Sequence, residues 1–97
     1  MPTKRQRIRG VPVMVMTDST TGNARIMASR GSFRSYIGEL LCPTLDCLHL
    51  HLSDLDQRIE AWEPHRDWPW RTRHRSFDTE RAALTWLVER AAARGDL

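Results

Sequence analysis

Cysteine is nearly missing from this chain, with Cys42 and Cys47 the only two in 97 residues. Two thiols cannot supply the framework of bridges on which small secreted domains rely, so a disulfide scaffold is excluded. No apolar run comes near the ~20 residues of a membrane-spanning helix. The N-terminus carries Lys4, Arg5, Arg7 and Arg9, but no apolar segment follows of the kind a secretory signal needs. Glycine is sparse too, and Gly22 lacks the following lysine and helix of a phosphate loop. No Ser-His-Asp or Cys-His order suggests an activated nucleophile. A non-enzymatic protein without a cofactor, in a reducing cytoplasm, is the expectation.

What is present is an ordinary globular composition, 40% apolar and 28% charged, which speaks against disorder. The length suits one domain with a modest core, burying roughly 60–65% of the unfolded surface. The expected organisation is a basic arm over residues 1–10 and a single α+β domain over residues 11–97. The net charge of +3 conceals blocks. Asp46, Asp54, Asp56, Glu60 and Glu63 face the single Arg58, whereas Arg66, Arg71, Arg73 and Arg75 face only Asp67. Such asymmetry favours oriented docking on a charged partner.

The clearest element lies between Asp78 and Gly95. Asp78 is placed to cap a helix, and Ala83, Leu84, Leu87, Val88 and Ala91 recur with the helical period. Arg90 and Arg94 fall in the last turn, before a glycine stop. Earlier, Val11, Val13 and Val15 alternate with Pro12, Met14 and Met16, a strand apolar on both faces. Pro12 cannot donate to a ladder, so that strand is expected to start late or to lie at an edge. The turn formers Asp18 to Asn23 lead to a second strand over residues 24–29. Phe33, Tyr36, Ile37, Leu40 and Leu41 keep a helical period, with Tyr36 on the core side, and Cys42-Pro43 ends that helix. Residues 46–52 alternate as a strand, Ser53 caps a short helix through Leu55, Ile59 and Trp62, and residues 70–77 form a last strand. The expected fold is α+β in the order β-β-α-β-α-β-α, a mostly antiparallel sheet of about four strands with two or three helices on one face.

Three groups of residues carry chemical promise. Cys47, His49 and His51 share one strand face, and Cys42 is near enough to complete a nitrogen and sulfur set. Cys-x4-Cys and His-x-His nearly overlap, however, and leave no finger loop, so no metal is expected. Trp62, Trp68 and Trp70 crowd beside Arg71, Arg73 and Arg75, residue types shared by nucleic-acid surfaces and protein hot spots. Trp86 falls about 130° from the centre of its helix's apolar stripe, either covered by the Trp62–Trp70 loop or left for a contact.

Two functions compete. The first is a small accessory protein or inhibitor that binds a host protein or complex through Trp62, Trp68, Trp70, Arg71, Arg73, Arg75 and Trp86, with a homodimer through Trp86 as a variant. The second binds nucleic acid through Lys4, Arg5, Arg7, Arg9, Arg66 and the Arg71/Arg73/Arg75 face. A zinc protein using Cys42, Cys47, His49 and His51 is third. The run from Arg73 to Leu87, Arg-x-Arg-Ser-Phe-Asp-Thr-x-x-Ala-Ala-x-x-Trp-Leu, is similar to strand-then-helix units of small phage and plasmid proteins, including the arm-binding domains of phage integrases. That likeness implies an accessory protein of a mobile element and no particular activity.

Overall fold

The computed structural model describes residues 3–18, 20, 23–41, 59–64 and 73–97. Four strands follow one another, β1 (Thr3–Ile8), β2 (Val11–Thr17), β3 (Ala24–Arg30) and β4 (Phe33–Leu41). Then come β5 (Ile59–Glu63), β6 (Arg73–Phe77) and the helix α1 (Glu80–Arg94). Each strand pairs antiparallel with its sequence neighbours, giving a meander in the order β1-β2-β3-β4-β5-β6.

The first hairpin follows from local chemistry. Arg9 and Gly10 have φ of 52° and 77°, the left-handed pair that closes a two-residue turn in step with strand twist. In β2, Val13 and Val15 are buried while Met14 and Met16 are half-buried on the opposite side. Pro12 pairs with Arg7 and sits just ahead of the β2–β3 ladder, which begins at Val13 and Ala28. A residue without an N–H is best tolerated where one of its two ladders has not yet begun.

The expected count of about four strands with two or three helices is overturned: among the described residues there are six strands and one helix. Residues 33–41 are a strand, not a helix. The reason is a bulge. Ile26 pairs with Gly38 and Met27 with Tyr36, so Ile37 is the extra residue. The insertion breaks the period of two and buries Ile37, Gly38 and Leu40 together, which in sequence imitates a helical stripe. The short helix expected to follow Ser53 through Leu55, Ile59 and Trp62, ended by Glu63-Pro64, also fails where it is described, since Ile59–Glu63 is β5. There Ala61 and Glu63 point inward with alternate spacing. The basic stretch at the N-terminus runs as the edge strand β1, anchored by the buried Ile8. The expected strand over residues 46–52 and the cap at Ser53 lie outside the described residues.

The C-terminal helix forms as its sequence implies, with the cap one residue later than expected. Thr79 is the N-cap, its side chain accepting from the Ala82 N–H at 3.1 Å. At the other end Gly95 is left-handed and its N–H bonds back to Ala91 and Ala92. Ala83, Leu84, Leu87, Val88 and Ala91 are all buried. Leu84, Leu87 and Val88 each contribute about 1.5–3 kcal/mol by leaving water. The helix touches β4, β5 and β6 and also β1, so the sheet coils about it.

Ionic contacts fasten α1 at two levels of burial. Glu63, 4% exposed, accepts from Arg90 Nε at 3.1 and 3.2 Å and from Arg94 Nη1 at 2.7 Å. Arg94 Nε also donates to Asp96 at 2.8 Å. On the surface, Lys4 reaches Glu80 at 2.8 Å and Arg9 reaches Glu89 at 3.0 Å. Exposed pairs of this kind are screened, so Lys4→Ala and Arg9→Ala are each expected to change unfolding free energy by under about 1 kcal/mol in urea titration. A loss of several kcal/mol from either would show that β1 depends on that pair.

Candidate functional site

The two faces of the coiled sheet differ sharply in what they carry. Ile8, Val13, Val15, Ile26, Ala28, Leu40 and Ala61 face α1 and are buried. Among the described residues no element packs on the other face. Strand alternation and register align Arg5, Met14, Met27 and Tyr36 there in one row across β1 to β4. At the usual spacing of neighbouring strands that row is about 14 Å wide. The adjacent row runs Thr3, Met16, Arg25, Glu39, Trp62, His74 across all six strands.

Tyr36 is the centre of this surface. It is 39% exposed, and the Arg25 guanidinium lies 5.8 Å from its ring centroid, a cation–π arrangement. Burial pushes its phenol above the ordinary range and a hydrogen bond to Glu39 raises it further, against the pull of Arg25. The ring therefore stays neutral at all physiological pH. On β5 and β6, Trp62 stacks on His74 with centroids 4.2 Å apart and planes at 17°. The Trp62 indole N–H donates to Glu60 at 3.3 Å.

The charge of this surface is uneven in a way the total hides. The first 38 residues contain seven lysines and arginines and one acid, Asp18. Arg5, Arg7, Arg25 and Arg34 are exposed, and none makes an ion pair among the described residues. Arg34 lies beside Phe33, 77% exposed at the tip of the β3–β4 hairpin. Cations, the Tyr36 ring and polarizable methionines thus share the open side of β1–β4, while Phe33 pairs with Arg30 and falls on the other face.

The residues singled out in the sequence scatter over both faces. Arg5 and Arg7 stand on the open face, while Lys4 and Arg9 are engaged with α1. Trp62 is on the open face as well, whereas Arg75 and Trp86 line a groove on the helix side. Arg73 pairs in register with Glu63. Trp86 is half-buried, and Phe77 packs on it at 5.8 Å with a 49° tilt, on the side of the sheet opposite Trp62. Arg66, Trp68, Trp70, Arg71, Cys42, Cys47, His49 and His51 lie outside the described residues. Tyr36 and Arg34 are hidden in the sequence by the helical period of residues 33–41, and Arg25 by the lack of any local signal for the strand beside it. An alternating strand with a bulge glycine would have exposed them.

Comparisons of the chain with protein-family models, curated proteins and solved structures find no match.

Proposed function

We propose that this is a non-enzymatic, cytoplasmic protein that binds single-stranded nucleic acid on the open face of β1–β4. The observation that carries this reading is the row Arg5, Met14, Met27 and Tyr36 flanked by the exposed Arg7, Arg25 and Arg34. Arginines along a backbone path with rings for stacking are the physical recipe for sequence-tolerant single-strand binding. Among the described residues the open face offers no protruding helix for a duplex major groove, because α1 is packed on the other side. Two cysteines without a bridge framework suit a reducing compartment.

The test is fluorescence anisotropy with labelled single strands and duplexes of equal length, between about 50 and 200 mM salt. Single strands are expected to bind more tightly, with affinity falling steeply as salt rises. Arg25→Ala and Arg34→Ala should each flatten the logarithmic salt slope by about 0.7. Tyr36→Ala should weaken binding about tenfold through lost stacking. Absence of binding at the lowest salt, or binding unmoved by all three substitutions, would remove the proposal.

A further inference from the structure

The other side of β6 holds a second surface, independent of the open face. Among the described residues no strand pairs with the outer edge of β6, and an edge of that kind is where a chain can add. Beside that edge lies an open groove of about 490 Å³ lined by Arg75 and Phe77 from β6 and by Arg81, Ala82, Trp86 and Glu89 from α1. Its floor is apolar, with Phe77 and Trp86 in tilted contact and the small Ala82 leaving room above them.

The charges in the groove select its occupant. Glu89 is taken by Arg9 at 3.0 Å. Arg75 lies 5.6 Å over the Phe77 ring, and neither it nor Arg81 has an ion pair among the described residues. Two uncompensated cations therefore flank an apolar floor. A second copy paired through this edge would bring Arg75 near its own counterpart, and like charges opposed across strands are unfavourable. An acidic strand has the opposite effect.

We infer that this groove receives an extended acidic peptide from another protein. The peptide adds to the edge of β6, seats an apolar side chain on the contacting rings of Phe77 and Trp86, and places carboxylates on Arg75 and Arg81. Main-chain pairing supplies the affinity and alternate side chains the selectivity, the usual division in strand addition. The open face takes no part, so this surface stands or falls apart from nucleic-acid binding.

The probe is a blocked peptide of about seven residues, the length of a short strand, alternating glutamate and leucine, with a lysine–leucine counterpart as control. Calorimetric titration of the full chain should detect the acidic peptide and not the basic one, and the Trp86 indole and β6 amide resonances should shift. Arg81→Glu should weaken the acidic peptide by about tenfold or more, as charge reversal at a complementary contact does. Ala82→Glu, at an exposed helical position, should abolish binding with the fold intact by circular dichroism. Arg25→Glu should leave the affinity unchanged. The inference is overturned if the acidic peptide does not bind at low salt or both peptides bind equally. It is also overturned if Arg25→Glu carries the loss, or if sedimentation shows a dimer that occupies the groove.

Discussion

Replacement of Glu63 by alanine is expected to cost about 3–4 kcal/mol of unfolding free energy, the range found when one partner of a buried ion cluster is removed. The carboxylate is almost fully enclosed and takes three hydrogen bonds from Arg90 and Arg94. Without it, Arg94, whose side chain is 18% exposed, remains beneath the helix with a buried Nη2 already lacking a partner among the described residues. The cost is a largely buried cation left with Asp96 as its remaining partner among the described residues, more than the lost attraction. A domain of this length loses roughly 4–8 °C of melting temperature per kcal/mol, so the midpoint should fall by about 12–32 °C. Glu63→Gln keeps the shape and some of the hydrogen bonds and should cost less than the alanine variant. A change under about 1 kcal/mol in Glu63→Ala would mean that the cluster is not what joins α1 to β5.

Gly38→Ala is the second large effect. Gly38 has φ of 150°, and a Cβ built there would collide with the Trp62 carbonyl oxygen and lie 2.6 Å from Leu87 Cδ2. One obstacle is backbone of β5 and the other is the centre of the helix stripe, so neither gives way cheaply. About 3 kcal/mol is expected from overpacking, with β4, β5 and α1 all strained by one methyl group. Chemical denaturation measures it. An alanine that leaves the midpoint unchanged would contradict the close approach of β5 and Leu87 at the bulge.

These two residues also mark where the sequence stopped being readable. α1 was legible because its cap, its stripe and its glycine stop are all local signals within about 18 residues. The β2–β3 hairpin was legible because alternation and turn formers coincide. β4 was not, because one inserted residue at Ile37 makes a strand imitate a helix. β1 carries little apolar pattern beyond Ile8, and its pairing is dictated by β2 rather than by its own side chains. Glu63 reads as part of an acidic surface run, yet a strand register turns it inward to arginines 27 and 31 residues away. The candidate site fared in the same way. Arg5, Arg7, Arg75 and Trp86 were singled out one by one, but their division between two faces depends on strand register and on Phe77. Arg25 and Tyr36 meet through a cross-strand contact that no local spacing announces.

The role given to the open face rests on where a nucleic acid strand would lie, and photochemical cross-linking reads that position directly. A single strand substituted with a photoreactive pyrimidine, irradiated with the full-length protein at low salt, leaves adducts that peptide mass mapping can place. Adducts at Tyr36 and Met27, lost on competition with unlabelled single strand and fewer in Arg25→Ala, are the expected result. Adducts confined to Trp86 and the outer surface of α1, or none at all under those conditions, would contradict the assignment of nucleic-acid binding to the β1–β4 face.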